Sequence, residues 1–251
     1  MKVIDQGKGP AILLLHAFPL NRTMWEPQLD VLSSKFRVIA PDLRGFGGSQ
    51  PPSPWTMAEM ADDLSALLDD LEVKTCAVAG VSMGGYIALP FWSAYPERVS
   101  KLVLANTRAR ADNDTEKAAR NEMIAAIQQS GSGTLPDRML PRLLRPNAPM
   151  DVVQTVRKMI EGVDTAAATY AVMAMRDRVD FSTTVHRITC PTMVVTGKDD
   201  VIIRTEDSRA MADSIPGCRF VEVPESGHLS NLENPNEFNR VLMDFLLYGG
   251  L

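Results

Sequence analysis

Thr75-Cys-Ala-Val-Ala-Gly-Val-Ser-Met-Gly-Gly-Tyr-Ile-Ala-Leu-Pro-Phe-Trp-Ser-Ala-Tyr95 decides the fold. Cys76 to Val81 is a short, continuous apolar run, the pattern of a strand buried on both faces in a parallel sheet. Met83 to Ala94 reads as a helix. Between them, Gly80-Val81-Ser82-Met83-Gly84 is a complete G-x-S-x-G, a strand-to-helix turn with serine at its tip. The turn is so tight that a Cβ two residues before or after the serine would clash, which calls for glycine at both places. Ser82 is pushed out over the sheet edge. The Met83 amide points into the same space from a helix N-terminus, where the dipole favours developing negative charge.

The pattern on either side is consistent with that sheet. Ala11 to Leu15, Arg37 to Ala40 and Val99 to Ala105 read as further strands, so the strand at Cys76 is the third of four. Trp55 to Leu71 reads as a helix, with Thr56 and Glu59 placed as a capping box and Leu64, Leu67, Leu68 and Leu71 on one face. From 107 to 185 no strand pattern occurs. Helical segments are expected near 115–130, 134–144, 150–162 and 165–177, broken at Gly131-Ser132-Gly133 and Pro146-Asn147-Ala148-Pro149. Strand–helix alternation then resumes: Thr192 to Thr196, Thr205 to Ile215, Arg219 to Val223, Pro235 to Leu247. The expectation is a mostly parallel α/β sheet flanked by helices, with a core of 1–106 and 186–251 and a helical cap of 107–185 inserted after the fourth predicted strand. That insertion leaves a strand C-terminus, where such sheets bind ligands, so it is expected to act as a lid.

The chain has 251 residues and a formal net charge of −5. No basic stripe points to nucleic acid, and no apolar run approaches the roughly 20 residues of a membrane span. The N-terminus does not read as a signal peptide, because Asp5 interrupts it before an apolar region forms. Cys76, Cys190 and Cys218 are far apart and odd in number. They read as small buried hydrophobes in a reducing compartment, so the expected location is cytoplasmic. The oligomeric state stays open between monomer and homodimer.

A serine needs a base, and the base needs an orienting group. Of three histidines, His16 precedes the serine, His186 lies at the edge of the insertion, and His228 sits on the loop after the last strand, at the same sheet edge as Ser82. His228 is therefore the base expected from placement. The acid should follow the strand ending at Thr196, where Asp199 and Asp200 compete.

With these residues in hand, the chain resembles the α/β-hydrolase superfamily over nearly its whole length. It is most similar to small bacterial carboxylesterases, 3-oxoadipate enol-lactonases and cofactor-free haloperoxidases (perhydrolases). His16-Ala17-Phe18-Pro19, Asp42-Leu43-Arg44-Gly45-Phe46-Gly47-Gly48-Ser49, Gly80 to Gly84, Gly197-Lys198-Asp199-Asp200 and Gly227-His228 carry the resemblance. It implies a Ser82–Asp200–His228 triad in that chain order, Asp200 being favoured by its spacing from Gly197. It also implies an oxyanion hole formed by the backbone amides of Phe18 and Met83. The implied activity is hydrolysis of small carboxylic esters by an acyl-enzyme route, with no cofactor and no metal. The alternatives are a lactonase or C–C hydrolase on the same triad, or a slow-turnover receptor of the same fold. Pro19, placed as in the haloperoxidase branch, implies a perhydrolase side activity.

Two departures stand out. Ala17 occupies the place of the family's glycine after His16, and Pro90 falls inside the helix that follows the serine. His16, Asp42 and Arg44 read as braces of the oxyanion loop. Phe18, Trp25, Met83, Tyr86 and the methionines of the insertion are candidates for an apolar acyl pocket.

Overall fold

The computed structural model describes residues 1–48 and 54–249, so Ser49 of the glycine-rich motif and most of the proline-rich stretch after it lie outside the described residues. The elements run β1 (Val3–Gln6), β2 (Ala11–Leu15), α1 (Glu26–Ser33), β3 (Arg37–Pro41), α2 (Met57–Asp70), β4 (Cys76–Val81), α3 (Met83–Ala94) and β5 (Val99–Ala105). The block between sheet strands follows as α4 (Asp114–Ser130), α5 (Leu135–Leu143), α6 (Met150–Glu161) and α7 (Thr165–Arg176). The core resumes with β6 (Thr192–Gly197), α8 (Thr205–Asp213), β7 (Arg219–Val223), the short α9 (Ser230–Glu233) and α10 (Pro235–Tyr248).

Seven strands form one sheet in the order β1-β3-β2-β4-β5-β6-β7. Every pairing is parallel except that of β1 with β3. The strands expected from apolar runs are all present. β4 and β6 are buried along their whole length, as a two-sided apolar strand requires. β1 is the exception to the sequence reading. Only Val3 and Ile4 are apolar in it, and an edge strand with one neighbour buries too little to leave a strand pattern. The helices α4 to α7 follow the fifth observed strand, β5.

Helix ends follow their capping chemistry. Thr56 and Glu59 close a reciprocal capping box on α2, and Asn113 and Glu116 do the same for α4. The α2 helix packs on α3, and α1 packs on α10.

Register fixes what stands at the sheet's C-terminal edge. Leu15 pairs with Gly80, Val81 with Ala105, Ala105 with Val195, and Gly197 with Val223. The loops that begin at His16, Ser82, Asn106, Lys198 and Pro224 therefore leave one edge of one sheet.

Candidate active site

Ser82 caps α3 with φ 54° and ψ −112°, a backbone state that a residue with a Cβ adopts only when its surroundings impose it. The glycines impose it. A Cβ on Gly84 would land on the Leu15 carbonyl, and one on Gly80 would land on the backbone of Gly84. The Ser82 amide donates to Ala105 O (2.9 Å), and its carbonyl accepts from the Gly85 and Tyr86 amides (2.9 and 3.1 Å) and from Thr107 Oγ1 (2.9 Å). The hydroxyl makes no hydrogen bond among the described residues, and Ser82 keeps 8% exposure. The Ser82 amide and carbonyl are thus committed, while its hydroxyl is not.

His228 and Asp200 meet in a buried pair, Nδ1 to Oδ2 at 2.8 Å. An ionised carboxylate can only accept, so Nδ1 carries the proton and Nε2 is left as an acceptor. Asp200 takes three more donors. The Ile202 and Ile203 amides bond Oδ1 at 2.8 and 3.0 Å, and Asn106 Nδ2 bonds Oδ2 at 2.9 Å. Burial alone would raise this carboxyl, but the adjoining His228 charge and these donors outweigh it and hold Asp200 below the usual carboxylate range. Asp199 is exposed. The competition between the two neighbours resolves structurally in favour of Asp200 as the partner of His228. His186, the third histidine, is exposed on a short turn before β6.

Two polar residues at this site are missing from the sequence reading. Asn106 follows β5 with φ 48°. It donates to Asp200 and to Gly227 O (3.2 Å) and accepts from Ser230 Oγ (2.6 Å), which ties three loops together. Its only sequence signal is an asparagine placed directly after an apolar strand. Glu233 accepts from the Gly227 amide and the Arg145 amide, both at 2.8 Å. Together with the His228 amide on Leu143 O (3.1 Å), it clasps the histidine loop to the end of α5. Burial pushes the Glu233 carboxyl up against the pull of those amides. Glu233 left no signal, because its contact with Arg145 lies 88 residues away in sequence.

The Phe18 and Met83 amides have no acceptor among the described residues; Met83 opens α3, where the first N–H groups lack helical partners. The loop bearing Phe18 is braced as its polar residues suggest. Leu43 N donates to His16 Nε2 (3.0 Å) and His16 Nδ1 donates to Ala17 O (3.0 Å). Asp42 accepts the Arg22 amide (2.9 Å) and pairs with its guanidinium. Arg44 instead reaches Asp63 on α2 (Nη2 to Oδ1, 2.6 Å). Of the acyl-pocket candidates, Trp25 is fully buried and lies 6.4 Å from the Phe238 ring, so it belongs to the core. Met159 and Met175 are buried as well, and Met150 is 69% exposed. Met123 and Met139 line a small cavity beside Tyr86.

Burial drives His16 down to about 4 from an ordinary 6.5. The unfolded chain therefore takes up a proton between those values that the folded one refuses. Folding stability falls as pH drops from 6.5 to 4, then gains no further loss from this group. A His16→Gln protein should show a shallower decline in melting temperature across that window. An unchanged slope would assign the acid sensitivity to other groups.

The sequence profile of the alpha/beta hydrolase fold matches residues 10–235. The chain belongs to the α/β-hydrolase family. Among solved structures, a thermophilic esterase from Thermogutta terrifontis is 36% identical, with a TM-score of 0.94 and coverage of 100% of this chain and 94% of that one. An enol-lactonase from Burkholderia xenovorans is 27% identical with a TM-score of 0.91, covering 98% and 96%. Among curated proteins, 3-oxoadipate enol-lactonase 2 of Acinetobacter baylyi is 27% identical over 240 residues, 94% of this chain and 88% of that protein. The fold is thus matched over nearly the whole chain. Among the described residues no helix is long and apolar enough to cross a membrane.

Proposed function

We propose that this α/β-hydrolase cleaves small carboxylic esters through a serine acyl-enzyme. The observation that carries the reading is the strained Ser82 backbone with its uncommitted hydroxyl at the same sheet edge as the loops of the buried His228–Asp200 pair. Ser82 Oγ attacks the ester carbonyl as His228 Nε2 takes its proton. The Phe18 and Met83 amides receive the oxyanion, a contribution of roughly 3–4 kcal/mol per donor. The C–O bond to the alcohol breaks, and His228 returns its proton to the leaving oxygen. Water then repeats the cycle on the acyl-enzyme and frees the acid. Asp200 holds the imidazole with its proton on Nδ1 throughout. Esters and lactones pass through the same acyl-enzyme, and the esterase and enol-lactonase relatives support both as small-molecule substrates. The helical block 107–185 serves in this reading as the lid that selects the acyl group. Pro19 beside the oxyanion loop supports a perhydrolase side reaction, in which hydrogen peroxide replaces water at the acyl-enzyme.

A panel of p-nitrophenyl esters of increasing acyl length, with lactones beside it, tests the reading. Many turnovers per protein molecule are expected on short esters. A single turnover followed by arrest would favour a ligand receptor on the same fold.

A further inference from the structure

A cavity of about 150 Å³ lies where the cap meets the core, walled by Tyr86, by Arg108, Asp112, Glu116, Arg120 and Arg142, and by the apolar Met123, Met139 and Ile203. Two of its wall residues lie close in the chain to the proposed reaction centre. Tyr86 sits about one helical turn beyond Ser82 on α3, and Ile203 is one of the two residues whose amides hold Asp200.

Its charges do not balance. Three arginines face two carboxylates, and both carboxylates are also held from behind. Asp112 pairs with Arg108 (2.7 Å), Arg178 (2.8 Å) and Arg120 (3.1 Å). Glu116 pairs with Arg108 (2.8 Å) and Arg110 (2.7 Å). Asp112 and Glu116 remain ionised under this load. Burial works against the Asp112 charge, but the Arg120 and Arg178 charges hold its carboxyl low, and hydrogen bonding from Arg110 first of all drives Glu116 down to about 2. Neither carboxylate therefore has charge to spare, and donor capacity is left over. Arg120 reaches Asp112 through Nε, which leaves its Nη groups available. Arg142, exposed at the cavity mouth, makes no ion pair among the described residues. Arg108 is 6% exposed, and its Nε is buried without a hydrogen bond. The unpartnered buried Nε of Arg108, together with the Nη groups of Arg120 and Arg142 at the wall, gives the cavity donors suited to an incoming anion.

We propose that this cavity is a carboxylate-binding subsite, so that the preferred substrates are esters or lactones bearing a free carboxylate. The inference rests on Ser82 as the nucleophile. The chemistry of the walls selects the ligand. An arginine fork meets a planar carboxylate edge-on, while Met123, Met139 and Ile203 suit a short carbon chain better than a bare tetrahedral anion.

Two measurements test it. Binding to the Ser82→Ala protein, followed by calorimetry, should be tighter for monomethyl glutarate than for neutral dimethyl glutarate or inorganic phosphate. That comparison involves no turnover, so it stands or falls independently of the nucleophile. Hydrolysis is then compared for p-nitrophenyl hydrogen glutarate against p-nitrophenyl valerate, and for p-acetoxybenzoate against its methyl ester. These place the carboxylate on the acyl side and on the leaving-group side. One of the two acids should be preferred at least tenfold in kcat/KM, roughly the smallest effect of a hydrogen bond to a charged group. Arg142→Gln and Arg120→Gln should each lower that preference about fivefold or more and leave the neutral ester within twofold. Tighter binding of phosphate, no preference for either acid, or a preference indifferent to both substitutions would overturn the assignment. Neutral-ester turnover surviving Ser82→Ala would instead remove the nucleophile and leave the calorimetric result to judge the subsite.

Discussion

Ser82→Ala should abolish ester turnover while leaving the fold intact, with a loss of about 10⁶ in kcat if the residues act as a unit like those of comparable triads. The structure makes this a clean experiment. Everything Ser82 does for the elbow it does through its backbone: the amide on Ala105 O, and the carbonyl under Gly85, Tyr86 and Thr107. Its hydroxyl bonds nothing among the described residues, so deleting it breaks no contact, and alanine inherits the same φ of 54°. The melting temperature should therefore stay close to that of the unaltered protein. Any residual rate should reflect the oxyanion amides and substrate binding alone, roughly 10³–10⁴ over water. A fluorophosphonate probe should add its mass to the peptide containing Ser82. Wild-type activity in the alanine protein, with the probe on another residue, would remove Ser82 from the mechanism.

How far the site could be read from sequence follows from how far each residue's role is local. The elbow was legible because its steric demand falls on residues two positions away, and glycine leaves a visible mark there. The strands β2, β4 and β6 were legible because burial on both faces forces a nearly unbroken apolar run. His228 was legible from topology alone, since it had to leave the same sheet edge as Ser82. Asn106, Glu233 and the arginine network around Asp112 were not. Each acts on partners far off in sequence: Asn106 on Asp200 and Ser230, Glu233 on Arg145, Arg178 on Asp112. A polar side chain that works across loops imposes no periodicity on its own segment. β1 was missed for a related reason, because pairing along one edge asks little of its side chains.

The neighbouring aspartates give the sharpest contrast. Asp200→Asn should cost about 10⁴ in kcat, whereas Asp199→Asn should cost less than about tenfold, as expected of an exposed residue away from the pair. The hydrogen bonds around Asp200 also specify how the larger loss arises. Oδ1 accepts two backbone amides, from Ile202 and Ile203, which cannot turn away. An asparagine must keep its oxygen there, so its NH₂ takes the place of Oδ2, facing Asn106 Nδ2 and His228 Nδ1. Two donors would then oppose each other at Asn106. His228 could relieve the clash on its side only by giving up its Nδ1 proton and becoming the acceptor. The neutral ring would carry its proton on Nε2, the atom that has to receive the proton of Ser82. The variant should thus fold with a correctly placed but wrongly protonated base. Nitrogen-15 spectra of the histidine ring should show the proton moving from Nδ1 in the unaltered protein to Nε2 in Asp200→Asn, and staying on Nδ1 in Asp199→Asn. Raising the salt concentration should not restore the Asp200 variant, because the pair is buried and poorly screened. A crippled Asp199→Asn beside an active Asp200→Asn would show that His228 is oriented by a group other than the carboxylate it touches.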